Sequence, residues 1–136
     1  MKKYIEKKRT FNSPIKRVWE AITREEEISK WFMQANFKAE KGYSYEFEHE
    51  SIICHGTVLE VDPPNKLVYT WINPGTTEET TVTWLLEETN GGTELTLIHR
   101  GYEKYSDDDA EKFFKENEFG WNMVIQGLDE YLNLKS

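Results

Sequence analysis

Residues 3 to 11 contain no turn former and place Tyr4 on one parity and Ile5 and Phe11 on the other, which reads as a first strand with imperfect alternation. Ser13-Pro14 then marks a helix start. A serine hydroxyl accepts an orphan backbone N–H, and proline at the first helical position has no N–H to leave unpaired. Ile15, Val18, Trp19 and Ile22 share the face that follows. Thr23 and Glu26 have capping-box spacing, and the turn behind them brings Ile28, Trp31 and Phe32 toward the interior. The pattern predicts two short helices that close one end of a sheet.

From Gly42 the period becomes two, with Tyr43, Tyr45 and Phe47 on one side and Ser44, Glu46 and Glu48 on the other. Glu50-Ser51 reads as a turn. A strand from about Ile52 to Val61 stops at Asp62-Pro63-Pro64-Asn65, because proline fixes its own torsion and offers the ladder no donor. Leu67, Tyr69 and Trp71 keep the inward parity up to the turn at Asn73-Pro74-Gly75. Val82, Trp84 and Leu86 follow, Asn90-Gly91-Gly92 supplies positive-φ residues for a hairpin, and Leu95, Leu97 and His99 return on the partner strand. A meander of antiparallel hairpins is the economical topology.

The last element starts after Ser106, where Asp107 to Asp109 suit the positive end of a helix dipole. Ala110, Phe113, Phe114, Asn117, Trp121, Val124, Ile125, Leu128, Tyr131 and Leu132 recur at three- and four-residue spacing and mark one buried face. A helix from Asp107 to Leu134 spans roughly 42 Å, enough to cross a whole sheet. Gly120 sits mid-helix, where glycine costs about 1 kcal/mol relative to alanine, so close approach, a bend or simple tolerance must account for it.

Composition narrows the picture. A chain of 136 residues suits one domain with one core. Its net charge of −8 repels phosphate backbones, which argues against a nucleic-acid partner. No apolar run is long enough to span a membrane, and Met1-Lys2-Lys3 is followed by charge, so a soluble cytoplasmic protein without a membrane partner is expected. Cys54, the single cysteine, has no internal disulfide partner, and a small half-buried side chain is its expected role.

Candidate chemistry is sparse. No nucleophile elbow, zinc-protease helix motif or glycine-rich phosphate loop occurs, so no catalytic residue and no cofactor are predicted. His49, Cys54 and His55 match no common zinc spacing, and no metal site is assigned. Acid pairs such as Glu25-Glu26, Glu78-Glu79 and Glu87-Glu88 read as solvated charge. Five tryptophans, seven tyrosines and seven phenylalanines are a heavy aromatic load, and many fall on inward parity. Two readings of them stand, an ordinary aromatic core and the wall of a ligand cavity. His99, inward with Leu95 and Leu97, is either a satisfied core group, a ligand contact or a base. The Tyr45 and Tyr69 hydroxyls serve either a guest or nearby backbone.

Several segments together resemble a known family. They are Asn12-Ser13-Pro14 through Val18-Trp19, Trp31-Phe32, Gly56 to Pro63, Lys66 to Trp71, Gly92 to Leu97 with His99, and Gly120-Trp121. In that order, over nearly the whole chain, they resemble the START-like (SRPBCC) family of homologues of the activator of the heat-shock-protein-90 ATPase. The resemblance implies one START-like domain over residues 1-136 with an α+β helix-grip fold, a bent antiparallel sheet around a long C-terminal helix. It also implies a cavity for a small hydrophobic or flat aromatic ligand, lipid-like or polyketide-like, and a link to stress responses. On that reading the ligand-binding residues are Trp31, Tyr45, Phe47, Tyr69, Trp71, Trp84, Leu97, His99, Phe114, Trp121 and Ile125. Two further functions come with the resemblance: a chaperone partner whose ATPase is modulated, and a cavity enzyme of cyclase or hydrolase type using His99 as acid or base.

Overall fold

A computed structural model describes residues 4–135. In chain order it has strand β1 (Tyr4–Phe11), helices α1 (Ile15–Thr23) and α2 (Glu25–Trp31), and strands β2 (Gln34–Asn36), β3 (Ser44–His49) and β4 (Ile52–Asp62). Strands β5 (Lys66–Ile72), β6 (Glu79–Thr89) and β7 (Gly92–Arg100), a 3-10 turn (Tyr102–Lys104) and helix α3 (Asp107–Lys135) complete it. From β3 to β7 each strand pairs antiparallel with the next, which is the hairpin meander that the turn signals predict. β1 adds to the free side of β7 and β2 to the free side of β3, so the described residues form one seven-stranded sheet ordered β1-β7-β6-β5-β4-β3-β2. α1 and α2 carry the chain from one sheet edge to the other. The sheet curves around α3 in the α+β helix-grip arrangement.

Strand alternation explains which side chains meet α3. Tyr45 and Phe47 from β3, Leu67, Tyr69 and Trp71 from β5, Val82, Trp84 and Leu86 from β6, and Leu95, Leu97 and His99 from β7 are all buried. They form one core with Trp121, Ile125, Leu128 and Leu132 of α3. The imperfect alternation of β1 has a physical cause. Its odd positions face α3, and between buried Ile5 and Phe11 lie Lys7 and Arg9, which reach Glu118 at 3.5 Å and Asp129 at 2.9 Å. Lys3, the first residue of the predicted strand, lies outside the described residues. β2 has no counterpart in the sequence pattern, because three residues with one apolar side chain carry no periodicity.

Three local expectations are corrected. α1 begins one residue late, with Pro14 as an extended cap whose carbonyl accepts from the Arg17 and Val18 N–H groups at 2.9 and 3.1 Å. Ser13 makes no side-chain cap; it is buried, and its carbonyl accepts from the Thr93 hydroxyl at 2.8 Å, tying this corner to β7. The capping box at Thr23 does not form either. Thr23 is still the last residue of α1, so its hydroxyl donates back to the Trp19 carbonyl at 2.6 Å and Arg24 takes the cap of α2. In the Asn90-Gly91-Gly92 turn only Gly91 has positive φ, at +91°. Gly92 is in the ladder opposite Thr89, and a Cβ there would lie 1.9 Å from the Phe11 carbonyl oxygen. Its lack of a side chain serves the close approach of β1, not the turn.

Candidate functional site

Between α3 and the β4–β5 side of the sheet lies a cavity of about 390 Å³, open on one side. α3 contributes Phe113, Asn117, Gly120, Trp121 and Val124, with exposed Glu116 at the rim. The sheet contributes Ile52 and Cys54 from β4, Trp71 from β5, and Asn73 and Pro74 from the turn beyond it; Phe32 and Met33 close the end below α2. Apolar walls with a few placed polar groups are what a small-molecule site requires.

Gly120 belongs to this wall, and a Cβ added there would meet nothing within 4 Å. Close approach therefore does not explain it. A side chain here would enter open space at the cavity wall. Since that glycine weakens the helix by about 1 kcal/mol, Gly120→Ala should raise the unfolding free energy by about that amount. Urea denaturation measures it, and a destabilised variant would contradict the open space beside the residue.

Trp71 and Trp121 alone among the sequence-nominated residues border the cavity. Trp31 lies one layer back, its ring 5.6 Å from Phe32 and its N–H donated to the Ala21 carbonyl at 2.8 Å. Tyr45, Phe47 and Tyr69 pack together behind the wall, with Tyr45 4.7 Å from Phe47 and 5.0 Å from Tyr69, and Phe37 joins them. Trp84 sits edge-on to Trp121 at 6.0 Å; Leu97 and Ile125 are buried in the core. Phe114 is half-buried, edge-on to Tyr102 at 5.4 Å. The tyrosine hydroxyls serve internal partners: Tyr45 donates to the Thr70 carbonyl at 2.5 Å, and Tyr69 accepts from the Trp84 indole at 2.9 Å.

The space among Trp71, Trp84, His99 and Trp121 is filled by their own rings. Trp121 is 5.3 Å from Trp71 and 5.9 Å from His99, and its indole N–H donates to His99 Nδ1 at 2.9 Å. An indole nitrogen only donates, so Nδ1 carries the lone pair and Nε2 the proton. That proton points at Thr80 Oγ1, 2.6 Å away, whose own proton goes to the Trp71 carbonyl at 2.7 Å. The Tyr102 hydroxyl lies 3.1 Å from Nδ1 and accepts from Asn117 Nδ2 at 2.7 Å. His99 is 0 % exposed, and burial pulls its pKa down to about 3, so the ring is neutral. It is a satisfied core group that ties α3 to the sheet and does not border the cavity.

Cys54 is buried rather than half-buried as expected, and burial pushes its thiol up to about 11, leaving a neutral wall residue. Among the described residues no group of three or more His, Cys, Asp or Glu side chains is placed to hold a metal ion, and no helix is long and apolar enough to cross a membrane.

Residues 12–133 match the family described as Activator of Hsp90 ATPase homolog 1-like protein. The chain belongs to this family. Solved structures agree with the helix-grip fold of this Activator of Hsp90 ATPase homolog 1-like chain. Protein MLL2253 from Mesorhizobium loti is 24% identical with a TM-score of 0.87, covering 98% of both chains. Protein BH1534 from Bacillus halodurans is 28% identical with a TM-score of 0.78, covering 94% of this chain and 95% of its own. DynU16, from the dynemicin biosynthetic locus, is 21% identical with a TM-score of 0.85; the match covers 98% of this chain but 48% of DynU16. No curated protein matches the chain.

Proposed function

We propose that this protein is a non-enzymatic receptor for a small hydrophobic or flat aromatic molecule, lipid-like or polyketide-like, held between α3 and the sheet. The observation that carries the reading is the pairing of an apolar cavity of about 390 Å³ with a mid-helix glycine whose missing side chain leaves that cavity open. A guest would place its apolar surface against Trp71, Trp121, Phe32 and Val124, each buried square ångström contributing roughly 25 cal/mol before the costs of association. The non-enzymatic part is supported by the state of the reactive groups. His99 is neutral and sealed, Cys54 is a protonated thiol, and Tyr45 and Tyr69 are hydrogen-bonded inside the core.

A thermal-shift panel of hydrophobic and flat aromatic compounds tests this. A compound at 100 times its dissociation constant should stabilise the protein by about 2.7 kcal/mol. Gly120→Leu, which fills the space, should remove the effect while the protein stays folded. Failure of every compound to stabilise the unmodified protein, or equal stabilisation of the variant, overturns the reading.

A second reading, contact with a chaperone ATPase, draws on the family description and on Phe119 and Met123, which α3 leaves 69% and 63% exposed. A chaperone ATPase rate unchanged by the added protein would count against it.

A further inference from the structure

The polar side chains around the cavity are tied into hydrogen bonds. Trp71 Nε1–H donates to Asn73 Oδ1 at 3.0 Å, Trp121 Nε1–H to His99 Nδ1 at 2.9 Å, and Asn73 Nδ2 to the Tyr105 hydroxyl at 2.9 Å. Asn117 Nδ2 donates to the Tyr102 hydroxyl at 2.7 Å. The Tyr102 oxygen lies 3.1 Å from His99 Nδ1, whose one lone pair already accepts the Trp121 N–H, and it accepts from the asparagine amide. Asn117 therefore turns its carbonyl oxygen away from the buried relay. That oxygen is not among the buried side-chain atoms lacking a partner, which are absent from the described residues, so it is open to the cavity side or to solvent. Glu116, on the same helical stripe, makes no ion pair among the described residues and brings a carboxylate to the rim. No lysine, arginine or histidine lines the cavity; Lys112, the neighbouring cation, packs its ammonium over the Phe113 ring at 5.4 Å.

From this arrangement we infer that the cavity selects guests carrying a hydrogen-bond donor at one end, an amine or a hydroxyl, and rejects otherwise similar guests ending in a carboxylate or phosphate. Asn117 Oδ1 and the Glu116 carboxylate are the atoms that read the donor. An anionic head would meet the Glu116 carboxylate as a like charge, with no lysine, arginine or histidine in the lining to pair with it. This inference deepens the proposed function and rests on it.

The test uses the full chain at pH 7 and two matched series: octylamine, octanol and octanoate, and the 2-naphthylmethyl amine, the corresponding alcohol and 2-naphthoate. Calorimetric titration should rank amine and alcohol above carboxylate in both series by about tenfold or more. Glu116→Gln should reduce the advantage of the amine over the alcohol while leaving alcohol affinity in place. Equal or tighter binding of the carboxylates overturns the polarity inference while the receptor reading stands. An amine advantage unchanged in Glu116→Gln removes Glu116 from the assignment. Binding of no member of either series overturns the inference together with the reading beneath it.

Discussion

Trp121→Ala should destabilise the protein by about 3–5 kcal/mol, the range for deleting a large buried aromatic side chain. The residue is 3% exposed and stands at the meeting point of α3 with three strands. Its ring lies 5.3 Å from Trp71 of β5, 6.0 Å from Trp84 of β6 and 5.9 Å from His99 of β7, with Phe32 at 6.2 Å. Its N–H also fixes the His99 tautomer. Truncation would thus open a void next to the existing cavity, where the neighbouring rings cannot collapse without losing their own contacts. Denaturant titration gives the value, and a loss under about 1 kcal/mol would mean that α3 is not gripped through this ring.

Acid should weaken the fold through His99 well before the carboxylates titrate. The ring has a folded pKa of about 3 against an ordinary value of 6.5, because burial disfavours the charged form. Between those values the unfolded chain binds the proton and the folded chain does not, so stability is complete above the unfolded pKa and falls as pH drops toward the folded one. The slope approaches about 1.4 kcal/mol per pH unit. The interval from pH 6.5 to 5 isolates this group, since carboxylates titrate lower. His99→Gln should remove that slope relative to the unmodified protein. Nitrogen chemical shifts of the imidazole should report a neutral Nε2–H ring at pH 5; a charged ring there would contradict the buried relay.

Glu27 adds a second, lower window. Burial raises its carboxyl pKa, but hydrogen bonds from Tyr131 at 2.8 Å and from Arg17, 2.7 Å away, outweigh burial and hold it below its ordinary value. Its contribution is present above the unfolded carboxylate pKa and is lost as pH falls through the lower folded one, so the same titration should steepen there.

The sequence made the sheet and the long helix legible because period-two stretches such as Tyr43 to Phe47 and Leu95 to His99, and the helical stripe from Ala110 to Leu132, each expose one dominant burial pattern. Periodicity reports which face a residue occupies. It does not report whether the layer opposite is full. Tyr45, Phe47, Tyr69, Trp84 and Leu97 share the inward face with Trp71, yet the cavity lies where Gly120 carries no side chain and Phe32-Met33 leave the end of α2. Beside Trp71 and Trp121, the glycine was the further sequence signal for that place: Phe113, Glu116, Asn117, Gly120 and Val124 form a stripe through it. Ile52, Cys54, Asn73 and Pro74 come from a strand start and a turn, and only the pairing of β4 with β5 brings them beside α3. Caps failed for a related reason, since Ser13 and Thr23 had tertiary or i−4 partners that local spacing does not reveal.

The central claim is that a guest sits beside Gly120 while the His99 cluster stays closed. Intermolecular nuclear Overhauser effects from a bound naphthyl compound test it directly. Contacts from the guest to the Trp71 and Trp121 rings and the Val124 methyls, with the His99 and Trp84 signals unshifted, are the predicted result. Guest contacts confined to other surfaces, or guest contacts to His99, would contradict it.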